Sequence, residues 1–103
     1  MELEVIPIAD DRVKVAPKEA LGHQNLSEFQ HILKQWIDEG RINIELDFAS
    51  ISYLDSAGLG ALIGLNALLK SKQGSLTITG ITPALKNIFL AFRLDAILGV
   101  DLG

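Results

Sequence analysis

The sequence predicts an α/β fold in which a mixed β-sheet carries helices mainly on one face, with residues 1–103 forming one domain. Ile42-Asn43-Ile44-Glu45-Leu46-Asp47-Phe48 and Leu76-Thr77-Ile78-Thr79 alternate strictly, so each strand has one apolar and one polar face. Strands buried on both faces read instead as continuous hydrophobe, so the alternation puts the helices on one side. Segments of helical period separate these strands, giving the order β-β-α-β-α-β-α-α. The chain has 103 residues, 49% of them hydrophobic, enough for one real core.

Each element has its own signal. Leu3 to Ile8 and Arg12 to Val15 are short β-type runs split by Ala9-Asp10-Asp11, an edge hairpin in which Pro7 marks the edge because it donates no ladder hydrogen bond. Asn25-Leu26-Ser27-Glu28 offers an N-cap with an acid three residues on. Leu26, Phe29, Ile32, Leu33, Trp36 and Ile37 then recur at helical spacing until Gly40 stops the helix. Trp36 reads as part of this core stripe. Ser56 to about Ser71 forms the second helix, with Ser56 as its N-cap. Thr82-Pro83 opens the third, and Leu94 to Leu98 forms a short fourth.

Composition removes several function classes. There is no cysteine, so disulfides, a thiol nucleophile and cysteine-ligated zinc are excluded, and no metal or cofactor site is expected. Net charge is −4 with nine Lys+Arg scattered along the chain, which is the wrong distribution for a nucleic-acid partner. Met1-Glu2-Leu3-Glu4 lacks the basic start of a signal peptide. The apolar stretch Leu59 to Leu69 is broken by Gly60, Gly64 and Asn66 and falls well short of the roughly 20 residues of a membrane span. A cytoplasmic chain without direct membrane insertion is expected.

The segment Tyr53-Leu54-Asp55-Ser56-Ala57-Gly58-Leu59-Gly60 stands where a strand and its loop hand over to the second helix. A serine there lies over free amides and the positive end of the helix dipole, a place that tolerates a phosphate. Gly58 and Gly60 leave backbone uncovered for a close approach. On spacing alone, a plain N-cap serine with glycines for helix-to-sheet packing describes the segment as well. Asp55 has two readings: it holds the serine hydroxyl or helps an incoming metal site orient that hydroxyl, or it bonds nearby amides in an Asx turn. A hydrolase nucleophile is disfavoured, because the Gly-x-Ser-x-Gly elbow is absent and the two histidines, His23 and His31, read as solvated. Gly58, Gly60 and Gly64 do not complete a nucleotide-binding glycine motif.

Ile44 to Phe48, then Asp55-Ser56-Ala57-Gly58-Leu59-Gly60, Gly74 and Leu76-Thr77-Ile78-Thr79-Gly80, together resemble the STAS domain of bacterial anti-sigma factor antagonists. The likeness continues from Pro83 to Leu98 through the spacing of Leu85, Ile88, Phe89, Leu94 and Ile97. It implies a STAS-type domain and a non-catalytic, phosphorylation-switched binding module. Such a module sequesters an anti-sigma factor that is also a serine kinase of the histidine-kinase-like ATPase type. The resemblance makes Ser56 the phosphate acceptor, with a phosphoserine phosphatase restoring binding. Alanine at position 57 leaves one acceptor in the motif. Lys18 to Gln24 lacks the aspartate usual in that loop, a departure that bears on partner choice. The alternative is a STAS accessory subunit of a transport complex or regulatory assembly, without a phosphorylation cycle.

A helical wheel of the second helix puts Leu59, Leu62, Ile63 and Leu69 toward the sheet and turns Ala61, Leu65 and Leu68 elsewhere. The expected partner-binding residues are therefore Asp55, Ser56, Ala57, Gly58, Ala61, Leu65 and Leu68.

Overall fold

Asp10 and Asp11 turn the chain between β1 (Leu3–Ala9) and β2 (Arg12–Pro17), which pair antiparallel with Val5 opposite Val15. The computed structural model describes residues 1–100. Beyond the hairpin every pairing is parallel. β2 lies beside β3 (Asn43–Asp47), β3 beside β4 (Ser75–Thr79), and β4 beside the two-residue β5 (Gly99–Val100), in the order β1-β2-β3-β4-β5. Parallel neighbours need crossovers, and here these contain α1 (Leu26–Asp38), α2 (Ser56–Ser71), and the pair α3 (Pro83–Ala91) and α4 (Leu94–Ile97). A sheet whose strands follow in sequence order with right-handed crossovers receives all its helices on one face.

The alternation in sequence becomes the layer structure. Val13, Val15, Ile44, Leu46, Leu76 and Ile78 are buried and meet Phe29, Leu33, Leu62, Leu69, Leu85 and Phe89 from the helices in one core. The opposite face is polar. Lys14 sits 3.8 Å from both Glu45 and Asp47, and the Thr79 hydroxyl donates to Glu45 at 3.1 Å. Ser75 donates likewise to Asn43 at 2.9 Å, so the outer residues satisfy one another across strands. The edge reading of Pro7 holds, with a register shift between Pro7 and Ala9.

Four local expectations need correction. Asp55, not Ser56, caps α2; Ser56 is its first helical residue. Asn25 makes no side-chain cap for α1. Its amide instead ties the preceding loop, accepting from Gly22 N at 3.1 Å and donating to Glu19 and Ala20, while Glu28 pairs with the amino terminus. Ile63 is 40% exposed, whereas Asn66 is buried and donates to the Ile97 carbonyl at 3.2 Å. The wheel fails there because the buried face includes a polar residue, Asn66, which the carbonyl of the last residue of α4 satisfies. Leu65 is half-buried and packs on the core edge rather than facing away. The caps at Thr82 and Gly40 form as expected: Thr82 Oγ1 accepts from Leu85 N, and Gly40 ends α1 at φ +94°.

These placements separate two neighbours on α2. Leu62→Ala should cost about 2–5 kcal/mol of unfolding free energy by opening a cavity, while Ile63→Ala should cost within about 1 kcal/mol. Urea denaturation of both variants distinguishes them, and equal losses would show that Ile63 is a core residue.

Candidate functional site

The site is built where β3's following loop enters α2. Leu54 pairs as an isolated parallel bridge with Leu21, and Asp55 N donates weakly to the Leu21 carbonyl at 3.4 Å. This brings the loop after β2 onto the first turn of α2. Gly58 is buried beneath it: a Cβ at that position would stand 2.8 Å from the Leu21 carbonyl oxygen, so only glycine permits the approach. Gly22 answers from the other side, since its Cβ would meet an Asp55 carboxylate oxygen at 2.6 Å. The open backbone expected at Gly58 is therefore filled from within the chain. Gly60 keeps it, with nothing within 4 Å of where its Cβ would stand.

The Asp55 carboxylate joins the two segments. Oδ1 accepts from Gly58 N at 2.8 Å as the helix cap. Oδ2 accepts from His23 N at 3.0 Å and lies 3.2 Å from His23 Nδ1. Of the two readings of Asp55, the structure shows the amide-bonding one. The amides of Gly58 and His23, with the His23 ring beside them, hold its carboxyl below the usual carboxylate pKa. His23 is solvated at 77% side-chain exposure, yet it is engaged. His31 is exposed and meets only Gln35. Sequence spacing offered no signal for the His23 contact, which spans 32 positions.

Ser56 follows the cap and is exposed. Its own amide and that of Ala57 take part in no hydrogen bond among the described residues, as the first positions of a helix require. The hydroxyl is likewise free of any bond to His23, so Asp55 and His23 pair without extending to the serine as a nucleophile–base–acid relay.

One residue past Ser56, at Ala57, begins an apolar groove of about 520 Å³ that runs between α1 and α2. Phe29, Leu33 and Ile37 of α1 are its deeply buried part, with Leu26 and Lys34 also lining it. On α2 it takes Ala57, Gly60, Ala61, Gly64, Leu65 and Leu68. The structure thus gathers Ala57, Ala61, Leu65 and Leu68 along one groove that starts next to Ser56, and leaves Asp55 and Gly58 outside its lining. The wheel of one helix missed the share of α1. No helix among the described residues is long and apolar enough to cross a membrane, and no cluster of three metal-ligating side chains occurs among them.

The depressed Asp55 carboxyl sets a pH dependence. A group whose folded pKa lies below its unfolded value of about 4 stabilises the fold above that value and loses the effect as pH falls through the folded one. Denaturation midpoints of the parent and Asp55→Asn should therefore differ at pH 7 and converge under acid; a constant gap from pH 7 to pH 2 would refute the linkage.

Residues 5–99 match the family model described as Mlab, STAS domain. The chain is 27% identical over 94 residues to an anti-sigma-B factor antagonist of Staphylococcus epidermidis, covering 91% of this chain and 87% of that protein. The fold matches the anti-sigma factor antagonist SpoIIAA in its unphosphorylated form with a TM-score of 0.82 at 18% identity, covering 97% of this chain and 88% of that one. SpoIIAA in its phosphorylated form, described as a Bacillus cell fate determinant, matches with a TM-score of 0.75 at 18% identity over 97% and 91%. With the family model spanning both the sheet and the Asp55 to Gly60 segment, the chain belongs to the STAS domain family.

Proposed function

We propose that the chain, residues 1–103 as one STAS domain, is an anti-sigma factor antagonist: a non-catalytic binding module switched by phosphorylation of Ser56. The observation that carries this is the exposed Ser56 at the first turn of α2, one residue before Ala57 in the lining of the apolar groove. Relatives by sequence bear that function in their names, and a structural neighbour is known in phosphorylated and unphosphorylated forms. The partner is an anti-sigma factor that doubles as a serine kinase of the histidine-kinase-like ATPase type. The setting is the cytoplasm.

In this reading the unmodified domain docks through Ser56, Ala57, Ala61, Leu65 and Leu68, with Asp55 and Gly58 fixing the backbone beneath them. The kinase transfers the γ-phosphoryl of ATP to Ser56 Oγ: the new P–O bond forms, the bond to ADP breaks, and the hydroxyl proton leaves to a base of the kinase. A phosphatase returns the hydroxyl by hydrolysis. The phosphoryl group adds about −1.5 to −2 charges at the edge of an apolar contact, where repulsion and desolvation supply the few kcal/mol that release requires. No refolding is needed, since the receiving position is already exposed and its two nearest amides are free.

Affinity measured by titration calorimetry against a histidine-kinase-like serine kinase from the same organism tests the switch. Ser56→Asp should bind at least about tenfold more weakly than the parent, about 1.4 kcal/mol, and Ser56→Ala should bind in the presence of ATP without release. Parent-like binding by both would favour the accessory-subunit alternative, a permanent interface without a cycle. Leu68→Glu, on a 41% exposed position of the groove, should weaken binding by about 1–3 kcal/mol with the thermal midpoint nearly unchanged. Unaltered affinity would move the docking surface away from the groove.

A further inference from the structure

We infer that His23 is the counter-charge for a phosphoryl group on Ser56, bridging it to Asp55 and so coupling the state of the serine to the loop before α1. The inference rests on Ser56 as the acceptor and assigns a residue that the phosphoserine segment itself does not contain.

Side chains in the first turn of a helix lean toward its N-terminus, so a phosphoryl group on Ser56 extends over the end of α2. That end is where Leu21, Gly22 and His23 are packed, by the Leu21 carbonyl against Gly58 and by Gly22 against the Asp55 carboxylate. Ser56, Ala57, Gly58 and Leu59 bring no basic side chain to the turn. The loop from Lys18 to Asn25 brings two, Lys18 and His23, and Lys18 is drawn away to Glu4 at 3.7 Å. The loop's other charged side chain, Glu19, is held by Asn25 at 3.0 Å. His23 is thus the basic group placed to respond.

The imidazole is half-committed in a useful way. Nδ1 faces Asp55 Oδ2 at 3.2 Å, and no hydrogen bond among the described residues uses Nε2. A protonated imidazole donates from both nitrogens, so Nδ1 stays on Asp55 while Nε2 meets the phosphate. A phosphoryl group beside Asp55 otherwise sets two anions on adjacent residues with no cation between them. The backbone bond from His23 N to Asp55 holds the ring in place in either state, so recruiting it requires rotation of one side chain. The His23 side chain meets α2 through Asp55 in the unmodified domain; in the modified one it gains a second tie.

The test installs phosphoserine at position 56 during synthesis, needs no partner, and reads the phosphate by ³¹P NMR across pH. The second ionisation of an isolated phosphoserine falls near pH 6. In the parent it should be displaced by about one pH unit toward acid, a tenfold change in its constant, and the imidazole ¹⁵N resonances of His23 at pH 7 should move to the imidazolium positions. His23→Gln retains the backbone bond to Asp55 and should keep the parent's melting temperature while losing most of the displacement. His23→Lys should recover it. An identical ³¹P titration in parent and His23→Gln would overturn the assignment while leaving the Ser56 switch standing. A displacement that depends on His23, in a protein whose Ser56 variants bind the kinase alike, would uphold the assignment and remove the switch.

Discussion

The carboxylate of Asp55 is the contact on which the site depends. It accepts from Gly58 as the cap of α2 and from His23 across 32 positions of sequence, so one side chain fixes both where the helix begins and where the loop after β2 lies. Were the helix to start one residue later, Ser56 would become the cap and its oxygen would be spent on a backbone amide. Capping by Asp55 releases it. The serine then stands at the first helical position, exposed, with two free amides beside it and no intramolecular task.

The same economy governs the groove. Parallel strands in sequence order force α1 and α2 to run side by side in the same direction on one face, with their N-termini at the same edge of the sheet. The space between them is closed or open according to the side chains α2 presents. Glycines in a helix interior cost roughly 1 kcal/mol each relative to alanine. Gly60 and Gly64 meet nothing within 4 Å of their missing Cβ atoms, so internal packing does not require them. Their effect is to keep the groove open along the line from Ala57 to Leu68, about 16 Å for eleven helical steps. Arg41 closes the far end of α1 differently, lying 5.3 Å over the Trp36 ring, and keeps that half-buried indole at the core edge.

Much of this was legible in the sequence, for definite reasons. Alternation in Asn43–Asp47 and Ser75–Thr79 is a period-two signal with a single physical cause, burial of one face, and it gave the layer arrangement directly. Pro7, Gly40 and Pro83 act through their own backbones and Thr82 through a hydroxyl that meets an amide three residues on, so their effects needed no tertiary knowledge. What remained hidden depended on partners distant in sequence. The choice of Asp55 over Ser56 as cap turns on which oxygen also finds His23. The burial of Asn66 turns on a carbonyl at Ile97, and the exposure of Ile63 follows from the same rotation of α2. The two-residue β5 is too short for any periodicity to register. Of the site, Ala57 came with the Asp55 to Gly60 segment and Ala61, Leu65 and Leu68 from one helix wheel, but the groove is a property of two helices.

The loop from Lys18 to Gln24 shows how a departure from a family pattern is to be weighed. The resemblance implies an aspartate in this loop, and Lys18 to Gln24 has none. By structure the loop is pinned to α2 through its backbone, by the Leu54 bridge and by the Gly22 and Gly58 approaches, none of which needs an acidic side chain in the loop. The architecture therefore survives the substitution, and what changes is charge. An acid here would add to the negative field of Asp55 beside the serine, whereas His23 brings a backbone amide and an imidazole that meet the Asp55 carboxylate. The side chain at the entrance thus changes its chemistry without moving the entrance, and the capped helix and its exposed serine stay as they are.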